Sequence, residues 1–179
     1  MLHIADRKLQ KEASQFSDTK QRMYDFLFGT SIGVLSSTDP DGDPHGAVIY
    51  FTINRDFEVS FLTKSETKKY DNLIHNNHVM LTVFEPFTQT TAQITGMARE
   101  VKAGFDMNEI AGRVLGTSLQ TSDAGLTPLS KLEAGSYVAF RIEPVQIRMA
   151  VYARPDPGDY SELFETVESF GHQDDHRPR

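Results

Sequence analysis

The sequence predicts a mainly β fold, a small antiparallel barrel of short strands with few helices. Three observations carry this. Apolar and β-branched runs of strand length recur from "SIGVLSST" to "SYVAFRIEPVQIRMAVYA", Pro-, Gly-, Asn- and Asp-rich turns punctuate them, and the connections are mostly short enough for antiparallel neighbours. Closing such a sheet on itself removes its exposed edges. A chain of 179 residues can bury a single core without staples. The absence of cysteine excludes disulfides, thiolate metal sites and cysteine catalysis, and fits a reducing, cytoplasmic setting.

The elements follow in order. "SDTKQRMYDFLFGT" opens with possible caps at Ser17 or Asp18, and Met23, Phe26 and Leu27 fall at helical spacing before Gly29. "SIGVLSST" is the first strand, "DPDGDPHG" a turn, and "AVIYFTI" the second strand of a hairpin. "NRDF" turns the chain into a third strand, "EVSFLT". The segment from Ser65 to about His75 has helical composition, and "HVMLTVFEP" is the fourth strand. "TAQITGMAREV" alternates as a half-buried fifth, with Gly96 marking a bulge or a close backbone approach. Met107, Ile110, Val114 and Leu115 share one face of a further helix, and residues 120–135 form a loop long enough for a lid or docking segment. "SYVAFRIEPVQIRMAVYA" supplies one long strand or a pair interrupted at Pro144. Leu163, Phe164, Val167 and Phe170 then make an apolar stripe on a short acidic helix. Residues 1–154 are therefore read as one domain and 155–179 as an acidic helix and tail.

Charge narrows the partners. The formal net charge is -7, and residues 155–179 hold seven acids against two arginines, so most of the acidity sits in the tail. No broad basic footprint for nucleic acid exists, no apolar run is long enough to span a bilayer, and "MLHIADRKLQKEASQ" lacks the apolar core of an export signal. Asp39, Asp41 and Asp43 alternate like the start of a calcium loop, but Pro44 and Tyr50 occupy the positions where such a loop needs Gly and Glu. A solvated turn explains them. His75 and His78 straddle a predicted helix end without a third ligand, and a lone His45 after the turn could touch a ligand. "FLTKSETKKYDNLIHNN" places Lys64, Lys68 and Lys69 at a helix start. They are either a solvated face, with Glu66 near Lys69, or an anion cradle completed by Thr63, Ser65 and Thr67.

Taken together, "GVLSSTDPDGDPHGAVIYF", "FLTKSETKKYDNLIHNNHVMLTV" and "AQITGMAREV" resemble, in that order, the FMN-binding split-barrel superfamily of pyridoxamine 5'-phosphate oxidase-like proteins, from about Phe26 to Arg154. The resemblance implies a six-stranded antiparallel split β-barrel of Greek-key connectivity with a few peripheral α-helices. It also implies a homodimer with the flavin between subunits and hydride transfer through FMN, from NAD(P)H or a small-molecule substrate. Leu62 and Thr63 match the strand-end pair that contacts FMN; Thr67, Lys68 and Lys69 match the hydroxyl and basic pair that hold its phosphate. Ala47, Val48 and Ile49 match the strand lining the ring and ribityl chain. Thr91 stands where the oxidases place a glutamine near the flavin, and Thr52 where they place a lysine. Lys64 has no counterpart and reads as solvated. The chain has no tryptophan, so the oxidases' substrate-binding Trp segment is missing and a pyridoxamine phosphate oxidase proper is not expected. The deazaflavin F420 would present a phosphate to the same helix start, and a non-catalytic flavin- or haem-binding or sensing protein is the alternative of another class.

Overall fold

A computed structural model describes residues 18–102, 109–114, 116, 136–152 and 166–170. Helix α1 (Asp18–Thr30) seals the barrel with Met23 and Leu27, both fully buried, while Phe26 packs against the same core. It ends beyond the expected Gly29: Ser31 takes the left-handed conformation, φ 51°, and its N–H returns to the Leu27 carbonyl. Strands β1 (Ile32–Thr38) and β2 (Pro44–Ile53) form the expected hairpin. At its turn the Asp39 carboxylate accepts the Asp41 and Asp43 N–H groups, and Gly42 supplies the positive φ. The Asp39 carboxylate is thus used to build the turn, and no metal-binding cluster occurs among the described residues.

Strand β3 (Val59–Lys64), helix α2 (Lys68–His75), and strands β4 (His78–Glu85), β5 (Thr90–Val101) and β6 (Tyr137–Val151) complete the barrel. The strand order is β3-β2-β1-β4-β5-β6, with β6 pairing back to β3. The barrel is therefore closed, mainly β, antiparallel and six-stranded. β4 lies beside β1 after the β1-β2-β3 meander, the Greek-key arrangement. Burial alternates with period two along β5, and the inward side chains meet in a core that includes Phe51, Phe61, Leu81, Ile94, Phe140 and Ile147. Phe61 and Phe140 stack with ring centres 5.7 Å apart.

β6 is one continuous strand, not a pair. Pro144 lies opposite Gly96 and Gln146 opposite Thr95, so Val145 is the bulged residue. A side chain at Gly96 would collide with the Glu143 carbonyl oxygen and meet Ile142 Cγ2 at 2.9 Å, which is the close backbone approach the glycine predicts.

The expected C-terminal helix needs correction. Its described part, Thr166–Ser169, is a strand, β7, paired with Gln146–Met149 of β6. β3 covers only the first half of that edge of β6, and β7 satisfies the backbone groups left on the second half. Phe170 packs against the core beside Phe57. Leu163, Phe164, Met107, Leu115, the 120–135 loop and the boundary at 154–155 lie outside the described residues. Residues 109–114 are helical as expected; Ile110 and Val114 pack over Leu62 and Ala139 in a small second core on the barrel's outer face.

Candidate cofactor site

The seam between β2 and β3 opens at one end. Their ladder runs from Ile53↔Val59 to Phe51↔Phe61 and stops; beyond it β2 pairs only with β1, and Leu62–Lys64 only with β6. Ala47, Val48 and Ile49 lie on the parted stretch of β2, with Ile49 buried, Ala47 half-buried and Val48 exposed. Leu62 and Thr63, both buried, lie on the parted stretch of β3. A barrel with one opened seam is a split barrel.

Helix α2 sits at this opening. Its Asn72 Nδ2 donates to Ser37 Oγ at 3.2 Å, and Asn76 Nδ2 donates to Thr38 Oγ1 at 2.9 Å, pinning the helix to the end of β1. Leu73 enters the core. Thr67 is the N-cap: its Oγ1 accepts the Tyr70 N–H, donates to the Lys64 carbonyl at 2.8 Å, and lies 3.0 Å from Thr63 Oγ1. Because the Thr67 proton goes to Lys64, Thr63 is the donor in that contact. Both hydroxyls are spent on shaping the turn. The backbone N–H groups of Lys68 and Lys69, in the first turn, find no acceptor among the described residues.

The three lysines separate. Lys69 is half-buried, its Nζ 5.9 Å from the Phe61 ring centre, and no carboxylate among the described residues neutralises it. Burial pushes its ammonium down to about 8. Lys68 is exposed and forms an ion pair with Asp39 at 3.3 Å, which sequence reasoning missed because the partner comes from the distant β1–β2 turn. Lys64 is not solvated, as expected from the sequence, but buried, with Nζ 5.2 Å from the Tyr137 ring centre; it is covered because its strand end is packed against β6.

The Lys69 environment sets a pH dependence. Without an anion, the unfolded chain holds this proton more tightly than the folded one, so stability contributed at this site rises with pH between about 8 and the ordinary lysine value of 10.5. An anion needs the protonated form. Affinity for a phosphate-bearing ligand at this site is therefore expected to weaken as pH rises through about 8 in equilibrium titrations, and the Lys69→Met variant to lose that dependence.

Thr91 is not brought to this cluster within one chain. It pairs with Ala150 at one end of β5, while Leu62 sits beside Ala139, which pairs with Val101 at the other. Thr52 lies instead in a row with Ser60 and Arg141 across β2, β3 and β6. Glu109, Ile110 and Arg113 roof that row, enclosing with Asn54 and Glu58 a cavity of about 200 Å³. Arg113 pairs with Glu109 at 2.7 Å, and Arg141 Nε lies 3.9 Å from Glu58, so its charges are balanced. Nothing in the sequence pattern pointed to these arginines.

One buried atom has no partner: among the described residues, His45 Nδ1 is the unsatisfied buried side-chain nitrogen or oxygen. His75 and His78 join no group able to hold a metal among the described residues. No described helix is long and apolar enough to cross a membrane.

Comparison with known proteins agrees with the fold. None of the curated proteins compared matches the sequence. Among solved structures, a candidate pyridoxamine 5'-phosphate oxidase from Listeria innocua superposes with a TM-score of 0.58 at 20% identity, covering 74% of this chain and 98% of that one. A pyridoxamine 5'-phosphate oxidase-related, FMN-binding protein from Nostoc punctiforme gives 0.50 at 13% identity, covering 86% and 94%. A haem-binding protein from Mycobacterium smegmatis gives 0.54 at 13%, covering 70% of this chain and 51% of that one. Such identities show a shared fold. The sequence profile described as pyridoxamine 5'-phosphate oxidase matches residues 19–150, and the chain belongs to that family.

Proposed function

We propose that the protein is an FMN-dependent oxidoreductase acting as a homodimer, with the flavin phosphate at the start of α2. The observation that carries this is Lys69, a desolvated ammonium with no carboxylate among the described residues. A partly desolvated cation without a counter-charge is costly, and a phosphate would supply the charge. The free N–H groups of Lys68 and Lys69 add donors where the helix dipole favours an anion. An open seam lined by Ala47, Val48, Ile49, Leu62 and Thr63 leaves backbone and apolar surface for a ring and its polyol chain. When bound, FMN supplies reversible hydride chemistry; the barrel binds, orients and shields it.

The dimer rests on two observations. Val34, Val48, Met80 and Phe84 are exposed on β1, β2 and β4, an apolar band suited to a second copy. Thr91 and the α2 start lie far apart in one chain, so a flavin touching both would draw them from two. NAD(P)H or a small organic molecule would be the reductant, in a cytoplasmic setting. F420 would offer a phosphate to the same donors. A second reading, flavin or haem binding without turnover, draws on the lack of tryptophan in this sequence and on the haem-binding neighbour.

The absorption spectrum and mass of the small molecule copurifying with the protein test the cofactor. A flavin spectrum with the mass of FMN, reduced in steady state by NADH or NADPH, is the expected result. A deazaflavin or haem spectrum overturns the FMN assignment; bound FMN that no reductant turns over selects the second reading.

A further inference from the structure

Most donors near the start of α2 are already committed. Thr67 donates to Lys64, Thr63 to Thr67, and Lys68 pairs with Asp39. What is left for a dianionic phosphate is one ammonium, that of Lys69, two backbone N–H groups and the proton of the Ser65 hydroxyl, whose oxygen accepts the Ser136 N–H. Three terminal oxygens can accept more than these supply.

We propose that His45 is a further cofactor-binding residue, its Nδ1–H donating to the phosphate that Lys69 holds. This rests on the phosphate-binding reading above. His45 shares one face of β2 with Ala47 and Ile49, because side chains two apart on a strand point the same way. Its cross-strand neighbour is Ser37. Ser37 accepts from Asn72 of α2, and Lys69 lies one helical turn before Asn72, on the neighbouring surface of that helix. Strand pairing and one hydrogen bond thus link His45 to the cation of the site. Its Nδ1 is buried and unpartnered, whereas buried polar atoms are ordinarily satisfied; an exception calls for a missing partner. The neighbouring Ala47 offers no polar side chain that could take that place.

The test compares FMN with riboflavin, which lacks the phosphate, by quenching of flavin fluorescence in the full chain. Wild type is expected to prefer FMN. His45→Phe should lose roughly tenfold in FMN affinity with riboflavin affinity unchanged. His45→Asn, whose amide nitrogen takes the place of Nδ1, should restore the preference; His45→Gln, which reaches the Nε2 position instead, should not. The Asn–Gln contrast decides the matter even where the phenylalanine variant fails to fold. An FMN preference unaltered in His45→Phe, or equal rescue by Asn and Gln, overturns the role of His45 while Lys69→Ala still reports on the phosphate site. A wild type that binds FMN and riboflavin alike overturns both.

Discussion

Gly96→Val is expected to destabilise the barrel by about 3 kcal/mol, the upper end of ordinary overpacking. A β-branched residue would normally favour a strand, by at most about 1 kcal/mol. Here sterics win, because the added Cβ meets the Glu143 carbonyl, which is backbone and cannot rotate away. Relief would require breaking the β5–β6 pairing at its bulge, where Gly96 faces Pro144. Gly46 is the control: a Cβ there meets only Val34 Cγ1, at 3.5 Å. Gly46→Ala should be neutral or stabilise by up to roughly 1 kcal/mol through the unfolded state. Urea denaturation of both variants checks the pair, and equal midpoints would contradict the packing at Gly96.

Lys69→Ala is expected to weaken FMN binding by roughly 1.5–3 kcal/mol, the value of a hydrogen bond to a charged group, or about ten- to a hundredfold. The same change should leave the unliganded fold intact or stabilise it, because it removes a desolvated charge that has no acidic partner among the described residues. Opposite signs for affinity and stability are the signature of a residue kept for a ligand. A Lys68→Ala variant should cost less, since the Lys68 ammonium is exposed and already shared with Asp39. Equal losses at the two positions, in parallel fluorescence titrations, would refute the distinction drawn between them.

The barrel was legible because each of its strands repeats the period-two pattern over six or more residues, or is bounded by turn residues whose chemistry is local. β7 was not. Val167 and Phe170, the residue just after the strand, are spaced as on a helix, and what makes the segment a strand is the uncovered edge of β6, which no local pattern reveals. The site divides the same way. Thr67 as a cap, and the crowding of lysines at a helix start, are local signals and were read. The burial of Lys64, the pairing of Lys68 with Asp39 and the orphaned nitrogen of His45 all depend on strands brought together from afar. Thr91 was placed by resemblance, and the fold of one chain sets it at the far end of β5.

β6 also bears on how the molecule assembles. β5 runs along one of its edges and β3 and β7 divide the other, so it is shared by three partners. Its contacts with β3 join positions 73 to 83 residues apart in sequence. Loop closure over that span is entropically expensive and is repaid only when β5 has already given β6 a template. The β1-β2-β3 meander needs only local contacts, whereas closure waits for β6, and β7 docks onto the half of that β6 edge which β3 leaves uncovered. Until β7 docks, the Gln146–Met149 edge of β6 offers unpaired backbone groups to other chains, and the pairing with Thr166–Ser169 removes that offer.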